Sequence, residues 1–195
     1  MLQRPAALRL IDAAFPDQPV VLTLGGTIRE MLSVVGRKPN HLYSLDAMGQ
    51  TLALALGLAI GLDGRSRGER VVVIEGDGSL LMGFSSLATV GHVKPRNLVA
   101  FVLDNGVYLA TGGQPTAARD ADFVAIARAC GWADARNVPS TEDDLRVALA
   151  WAAETQGPLL LRLEVGTEQP KTDFFLEDPV ILGRTFQDWL RGAHQ

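Results

Sequence analysis

Apolar runs alternate with polar, glycine-containing turns along most of this chain. Short continuous apolar runs, which are typical of strands buried on both faces, lie at 20–24, 42–45, 70–75, 98–103 and 159–165. Segments of helical length lie at 27–35, 48–62, 80–91 and 122–129, and a further helix begins at 140–143. This alternation predicts an α/β fold with three α/β/α layers and a mostly parallel central sheet.

Both ends of the chain are predicted to be helical. The first segment has an amphipathic pattern, which predicts a helix at about 4–14, and a last helix is predicted at about 179–191. The segments 63–68 and 104–120 are rich in glycine and polar residues and are interpreted as loops. With 195 residues, the chain has the length of one α/β domain, and we predict a single domain over 1–195.

Composition and charge exclude several classes of function. The formal net charge is −4, so the chain lacks the basic surface that binds nucleic-acid phosphates. The most apolar stretch, 52–62, is too short to span a bilayer, which needs about 20 residues. The one cysteine, Cys130, has no partner for an internal disulfide, which fits a reducing compartment. We therefore predict a soluble, cytoplasmic protein that binds neither nucleic acid nor membrane.

Two neighbouring strands of the predicted sheet are each followed by a polar turn. Gly-Asp-Gly-Ser at 76–79 comes directly after one strand, and Asp-Asn-Gly at 104–106 follows the next. Both turns would lie at the carboxyl edge of the sheet, where open α/β sheets bind their ligands. Carboxylate and amide oxygens from Asp77 and Asn105 suit Mg²⁺ or Ca²⁺, and the backbone amides at 78–79 can hold an anion. A metal together with an anion implies a bound diphosphate.

Three segments carry a resemblance to one enzyme family. The Gly-Asp-Gly-Ser turn, with Asp77 and Asn105 28 residues apart, resembles the cofactor and metal motif of the thiamine-diphosphate-dependent enzymes. Ala-Met-Gly at 47–49 is similar to the segment that supports the pyrimidine ring in 2-oxo acid decarboxylases and acetolactate synthases. The loop at 111–116 is similar to one in sulfopyruvate and phosphonopyruvate decarboxylases. The resemblance is to the diphosphate-binding (PP) domain of this family.

The resemblance implies residues for thiamine diphosphate and Mg²⁺. The metal ligands would be the side chains of Asp77 and Asn105 and the backbone carbonyl of Val107. Met48 resembles the bulky residue that bends the cofactor, so that its pyrimidine amino group approaches the thiazolium ring. The carbonyl of Asp46 matches the acceptor for that amino group, although the family usually has glycine here. The remaining cofactor-binding candidates are Gly76, Gly78, Ser79 and Tyr108.

Candidates for contact with the substrate lie in the loop at 111–116. They are Thr111, Gln114 and Thr116, which could instead face another subunit, and a polar, glycine-rich loop is also common as an ordinary surface turn. An anionic substrate group would need basic residues around it. The candidates for that role, which the sequence does not place, are Arg29, Arg37, Lys38 and Arg119.

The family also needs a glutamate that activates the pyrimidine ring. In related enzymes it belongs to a separate pyrimidine-binding domain of similar size, and the contexts of Glu30, Glu69 and Glu75 do not match it. The catalytic residue is therefore unknown in this chain and is expected from a partner. The resemblance implies a hetero-oligomer in which an α-type, pyrimidine-binding subunit completes the site and this chain is inactive alone.

The reaction implied by the resemblance is the decarboxylation of a small 2-oxo acid by a sulfopyruvate- or phosphonopyruvate-type carbon–carbon lyase. One alternative is a subunit of another thiamine-diphosphate enzyme, either an acetolactate-synthase-like carboligase or a 2-oxo acid oxidoreductase. A second alternative is a non-catalytic module that binds the cofactor. The sequence does not decide which 2-oxo acid is used or whether decarboxylation or carboligation occurs.

Overall fold

A six-stranded, fully parallel sheet forms the centre of the molecule. The computed structural model describes residues 1–65, 69–174 and 177–192, so part of the predicted turn at 63–68 lies outside the described residues. In chain order the strands are β1 (Val20–Leu22), β2 (His41–Tyr43), β3 (Val71–Gly76), β4 (Leu98–Asp104), β5 (Val107–Tyr108), β6 (Gln114–Pro115), β7 (Asp134–Val138) and β8 (Leu159–Glu164). Strands β5 and β6 form a separate antiparallel pair, and the order in the main sheet is β2-β1-β3-β4-β8-β7.

Helices cover both faces of this sheet. They are α1 (Arg4–Ala14), α2 (Gly26–Val34), α3 (Thr51–Gly61), α4 (Asp77–Met82), α5 (Ser86–Val93), α6 (Phe123–Ala129), α7 (Glu142–Glu154) and α8 (Pro179–Arg191). The hydrophobic core on one face includes side chains of α1, α2, α7 and α8, and the core on the other includes side chains of α3, α4, α5 and α6. This arrangement confirms the predicted three-layer α/β/α fold with a parallel sheet.

Two predicted helices have different bounds in the structure. The helix predicted over 48–62 begins only at Thr51, because the preceding turn contains two residues with positive φ, Asp46 at 52° and Gly49 at 83°. The helix predicted over 80–91 is divided into α4 and α5 at Gly83. A Cβ atom on Gly83 would lie 1.9 Å from the carbonyl oxygen of Gly49, so the close approach of two backbone segments occurs where the helix is interrupted.

The edge strand β7 is absent from the sequence prediction. Its five residues, Asp-Ala-Arg-Asn-Val, have only two buried positions, and the strand pairs with β8 alone. An edge strand with an exposed side needs no continuous apolar run, so the pattern used to predict strands does not detect it. The predicted loop at 104–120 also contains more regular structure than expected, namely the β5–β6 pair and two short 3₁₀ turns.

Side chains at the start of α7 explain why this helix begins where the sequence predicts. The side chain of Thr141 accepts a hydrogen bond from the backbone N–H of Asp144 at 3.1 Å, and Glu142 and Asp143 lie in the same first turn. Acidic residues there interact favourably with the positive end of the helix dipole. Local sequence therefore specifies this helix start without help from distant residues.

The order of the strands places a switch point beside β1. The chain leaves β1 through α2 and returns as β2 on one side, then passes through α3 and returns as β3 on the other side. Connections that leave a central strand in opposite directions open a crevice at the carboxyl edge of the sheet, which is where ligands bind in open α/β folds. The crevice between β1 and β3 is therefore the expected ligand-binding site.

Candidate functional site

The crevice is built around Ser79, in the first turns of α4. Its Oγ accepts hydrogen bonds from the hydroxyl of Thr23, just after β1, and from the backbone N–H of Gly49, both at 3.0 Å. These bonds join three segments that are distant in sequence: the end of β1, the turn before α3 and the start of α4. Ser79 was predicted from the motif, whereas Thr23 carries no signal of its own in the sequence.

Asp77 and Asn105, the two predicted metal-ligating side chains, lie together at the ends of β3 and β4. Asp77 is 3% exposed. Its Oδ2 accepts a 2.6 Å hydrogen bond from the Thr116 hydroxyl, and its Oδ1 accepts one from the backbone N–H of Asn105 at 3.4 Å. The side-chain oxygen of Asn105 in turn accepts the N–H of Val107 at 3.1 Å. The structure thus brings the three predicted ligand residues together where the turn after β3 contacts the turn after β4.

The surroundings of Asp77 fit a divalent cation. Burial raises the pKa of the Asp77 carboxyl, and the nearby Asp104 raises it further, against the opposing hydrogen bonds from Thr116 and Asn105. A buried carboxylate next to a second carboxylate is stabilised by a cation. Carboxylate, amide and carbonyl oxygens are the hard donors that Mg²⁺ prefers. Among the described residues no cluster of three or more His, Cys, Asp or Glu could hold a metal ion, so a cation at Asp77 would also need amide and carbonyl oxygens.

An ion pair that the sequence analysis missed holds the Asn105 turn in place. Asp104 accepts hydrogen bonds on Oδ2 from Nε and Nη2 of Arg162, at 2.8 and 2.7 Å, while its Oδ1 accepts the N–H of Gly106 at 2.9 Å. Arg162 lies on β8, next to β4 in the sheet. Two guanidinium N–H groups on one oxygen and a backbone N–H on the other hold the carboxylate, which in turn fixes the loop that presents Asn105. Nothing in the local sequence indicates this pairing, because the two residues are far apart along the chain.

Gly78 and Tyr108 also lie together. A Cβ atom on Gly78 would be 2.4 Å from Cε1 of Tyr108, so the tyrosine ring packs directly on the glycine backbone. Gly76, the residue before α4, has an extended backbone with φ −99° and ψ 152°. These predicted cofactor-binding residues therefore share one side of the crevice, and a side chain at position 78 would displace the ring.

The backbone conformation of the turn that contains Asp46 and Met48 explains why the family usually has glycine at position 46. Asp46 adopts φ 52°, in the left-handed region that glycine occupies with least strain, and aspartate is among the few other residues that tolerate it. Its side chain is exposed, and Met48 is half-buried. The turn is held from below by the contact between Gly49 and Gly83. Residue 46 thus contributes its backbone conformation to the site, while its carboxylate faces outwards.

The predicted substrate residues Thr111 and Gln114 bind each other. The Thr111 hydroxyl lies 3.0 Å from Oε1 of Gln114, and Nε2 of Gln114 donates to the Thr111 carbonyl at 2.9 Å. Both side chains are exposed, on a hairpin whose next residue but one, Thr116, binds Asp77. The loop is therefore ordered by its own side chains and joined directly to the proposed metal ligand.

Glu75 is a buried acid beneath this site. It is the second-last residue of β3, and burial raises its pKa despite hydrogen bonds from the hydroxyls of Ser79 and Thr23 and from the backbone of Gly76. Its carboxyl lies in the same polar cluster as Thr23 and Ser79 and is shielded from solvent. In the sequence this glutamate did not match the context of the activating residue, and its contact with Ser79 is a finding of the tertiary structure.

The structure separates the basic residues considered for an anionic substrate group. Arg29, together with Lys171, lines a cleft of about 260 Å³ beside the start of α2. Lys38 instead donates to both carboxylate oxygens of Asp12, at 2.9 and 2.8 Å, and Arg37 pairs with Glu177. Arg119 is exposed at the end of a short 3₁₀ turn, and Arg29 lies in a cleft near the carboxyl edge of the sheet.

Comparison with known proteins assigns this arrangement to a family. Residues 29–163 match the family model described as the thiamine pyrophosphate enzyme, C-terminal TPP binding domain. The chain therefore belongs to this family, in agreement with the resemblance seen in its motifs.

Individual relatives are of two kinds. The chain is 37% identical over 196 residues to the sulfopyruvate decarboxylase subunit beta of Methanothermobacter thermautotrophicus, a match that covers 99% of this chain and 98% of that protein. It is 44% identical over 163 residues to the phosphonopyruvate decarboxylase of Streptomyces viridochromogenes, covering 83% of this chain and 39% of that protein. The chain thus spans about two fifths of the length of the second relative.

The solved structure of benzoylformate decarboxylase from Polynucleobacter necessarius shares the fold. The TM-score is 0.69 at 22% sequence identity, over 85% of this chain and 33% of that one. At this identity the likeness concerns the fold alone.

None of the helices in the described part of the chain has the length and apolar character needed to span a membrane.

Proposed function

We propose that this chain is the diphosphate- and Mg²⁺-binding subunit of a thiamine-diphosphate-dependent 2-oxo acid decarboxylase of the sulfopyruvate or phosphonopyruvate type. The observation that carries the proposal is the meeting of Asp77 and Asn105 at the ends of β3 and β4, with Asn105 N–H 3.4 Å from Asp77 Oδ1. The match to a decarboxylase subunit beta along nearly the whole chain supports the reaction class.

The residues around Asp77 have assigned roles in this proposal. The side chains of Asp77 and Asn105 and the carbonyl of Val107 hold Mg²⁺, and the backbone amides of Gly78 and Ser79 face the diphosphate. The Asp104–Arg162 pair keeps the Asn105 turn in position. When bound, thiamine diphosphate supplies a carbon nucleophile and an electron sink for the loss of carbon dioxide, and the protein supplies binding and orientation.

The turn before α3 positions the other end of the cofactor. The half-buried Met48 supports the pyrimidine ring, and the carbonyl of Asp46 accepts a hydrogen bond from the amino group of that ring. Tyr108 covers Gly78 and closes one side of the crevice. Thr111 and Gln114, held together by their mutual hydrogen bonds, contact the substrate from the hairpin above.

The proposal includes a partner, since the glutamate that activates the pyrimidine is assigned to a pyrimidine-binding, α-type subunit. The beta-subunit designation of the relative supports a second chain. The glutamates considered in this chain support the same view, because Glu30 is paired with Arg4 and Glu75 lies beneath Ser79. A cytoplasmic location is part of the proposal, supported by the free thiol of Cys130.

The test is reconstitution. This chain and the α-type subunit encoded in the same genome are combined with thiamine diphosphate and Mg²⁺ and assayed for carbon dioxide release from sulfopyruvate, phosphonopyruvate and pyruvate. We expect release from one of these acids with both chains present, and none with either chain alone or with Asp77→Ala. Formation of an acyloin in place of the aldehyde would favour the carboligase, and cofactor binding without any turnover would favour the non-catalytic module.

A further inference from the structure

The two longest segments of the chain without Asp, Glu, Lys or Arg are 47–62 and 78–93. Charged residues make up 21% of the whole chain, so runs of this length without them are unusual for a protein surface. In the fold these segments are α3, α4 and α5 with the turn before α3. All three helices pack against the same face of the sheet.

The outward side of these helices is apolar and exposed. Leu54 and Ile60 on α3 are 44% and 57% exposed, and Met82 at the end of α4 is 62% exposed. The other exposed positions on α3 and α5 are the small residues Ala53, Gly57, Gly61, Ala88 and Thr89, with His92 and Val93 at the end of α5. A helix that is apolar all round is normally covered on every side, and α3 is covered on only one.

A single exposed hydrophobic side chain needs no explanation. Helix α7, on the other face of the sheet, provides an example. Val147 there is well exposed, but it lies next to Arg146 on a helix that begins with three acidic residues. Scattered apolar side chains in a charged surface are normal for soluble proteins. A contiguous surface of several apolar residues without charges indicates an interaction site.

The apolar surface reaches the proposed cofactor site. Helix α3 begins directly after the turn that contains Met48, and the backbone carbon of Met82 lies 3.0 Å from where a Cβ atom on Gly49 would be. Leu54 is one turn further along α3. Whatever covers this surface therefore borders the cofactor turn as well.

The relatives indicate what covers it. One relative carries the region matched by this chain as 39% of a longer polypeptide, whereas in another the match extends over 98% of a separate subunit. The same region thus occurs joined to further chain in one protein and detached in the other. When it is detached, the missing part has to come from a second polypeptide.

We propose that the apolar surface formed by Leu54, Ile60, Met82 and the small residues between them is the docking surface for the α-type partner subunit. This inference rests on the proposed function and names the surface through which its two subunits meet. The small side chains at Ala53 and Gly57 allow a partner element to approach the α3 backbone closely. The docked partner also excludes water from the side of the crevice next to Met48.

The test compares matched glutamate substitutions. Leu54→Glu and Ile60→Glu introduce a charge into the proposed surface, and Val147→Glu does the same at an exposed valine on the opposite layer. The dissociation constant of each variant for the α-type subunit from the same genome is measured by titration with purified chains. We expect the first two to raise it by about thirtyfold or more, the size of a hot-spot effect, and Val147→Glu to leave it unchanged.

Two further measurements keep the result interpretable. Thermal unfolding of each isolated variant establishes that it folds, as expected for substitutions at exposed positions. A photoreactive benzoylphenylalanine at position 54 should cross-link to the α-type subunit, and the same group at position 147 should not. A cross-link from position 54 to a second copy of this chain would overturn the inference in favour of self-association.

The failure of this inference can be told apart from failure of the proposed function. If the wild-type chains form an active complex and both α3 variants bind as tightly as wild type, the docking surface is wrong and the proposed function stands. If the wild-type chain and the α-type subunit form no complex at all, both are wrong.

Discussion

The two helical layers pack apolar side chains against the same sheet but differ in the charge that they present to solvent. The layer formed by α1, α2, α7 and α8, termed the charged layer, carries exposed ion pairs, such as Arg146 with Glu142 at 3.7 Å on α7. In the other layer α6 carries Arg128, but α3, α4 and α5 have no Asp, Glu, Lys or Arg between Gly78 and Val93 or between Ala47 and Leu62. The fold requires apolar side chains only on the inner face of each layer. The difference between the outer faces therefore reflects what each layer contacts on its outer side.

This difference also follows the position of the site. The segments without charge supply the turn with Met48 and Gly49 and follow directly on Asp77, whereas the charged layer carries the exposed pairs Glu142–Arg146 and Asp188–Arg191. A surface destined for burial gains from having no charge to desolvate. A surface that stays in water gains solubility from its charges.

The largest effect is expected when the acid at the start of α4 is removed. Asp77→Ala should weaken Mg²⁺-dependent binding of thiamine diphosphate by at least about 100-fold, since even outer-shell partners of a metal account for 10–100-fold. Asp144→Ala, which removes a first-turn acid from α7 in the charged layer, is the control and should leave binding unchanged. The measurement is calorimetric titration with and without Mg²⁺, and equal binding by the two variants would remove Asp77 from the metal site.

A second comparison concerns two glycines with the same backbone conformation. Gly49 and Gly36 have φ of 83° and 85°, but a Cβ atom would meet the backbone of Gly83 at 2.9 Å in the first case and nothing within 4 Å in the second. Gly49→Ala should lower the free energy of unfolding by about 2–4 kcal/mol, from strain and overpacking together. Gly36→Ala should cost about 1 kcal/mol from strain alone. Urea unfolding measures both, and equal losses would mean that the Gly49–Gly83 contact relaxes.

A third comparison distinguishes an ion pair that positions the Asn105 turn from one that only stabilises the folded protein. Arg162→Met and Arg4→Met each leave a buried carboxylate, Asp104 or Glu30, without its guanidinium. Both should lower the free energy of unfolding by about 3 kcal/mol. Only Arg162→Met should also weaken Mg²⁺ binding, by about tenfold. A Mn²⁺ titration followed by electron paramagnetic resonance measures the difference, and the same metal affinity in both variants would contradict the role of Arg162.

The charged layer should show its own pH dependence through Asp12. Burial alone would raise the pKa of this carboxyl, but hydrogen bonds from His41 and Lys38 outweigh it and lower the pKa below the ordinary value of 3.8. The stabilisation is therefore present above the ordinary aspartate pKa and is lost as the pH falls through the lower folded-state value. Between pH 6 and pH 3 the free energy of unfolding should decline more steeply for wild type than for Asp12→Asn. Parallel curves would show that the pair contributes nothing.

The smallest effect is expected on the exposed side of α3. Gly57 lies within the helix, and a Cβ atom there would meet nothing within 4 Å. Gly57→Ala should therefore stabilise the isolated chain by about 0.5–1 kcal/mol through helix propensity. Thermal unfolding of the isolated chain is the measurement. A lowered midpoint would indicate that α3 has a different environment from the one described.

Local sequence was enough for much of the fold. The continuous apolar runs of β3 and β4 predict buried strands, and the turns that follow them place Asp77 and Asn105 at one edge of a parallel sheet. Thr141 and the acids after it predict the start of α7. In each case the pattern lies within a few neighbouring residues, so it can be recognised from the sequence without the tertiary structure.

Other features depend on contacts between distant residues. Edge strand β7 has a polar sequence and exists because β8 offers it a hydrogen-bonding partner. Arg162 reaches Asp104 only because β8 lies beside β4. Thr116 reaches Asp77 through the β5–β6 hairpin, which the sequence suggested only as a loop. None of these pairings has a spacing or composition by which it can be recognised in advance.

The sequence by itself determined the fold class, the family and the identity of the residues at the carboxyl edge, because periodicity and turn motifs are local properties. Only the tertiary structure decided how that edge is held together: Ser79 between Thr23 and Gly49, Arg162 behind Asp104, and two backbones in contact at Gly49 and Gly83. It also decided which apolar residues remain exposed. Helix α3 has no charged face from which its orientation can be read, so only packing against the sheet shows that Leu54 and Ile60 lie outside.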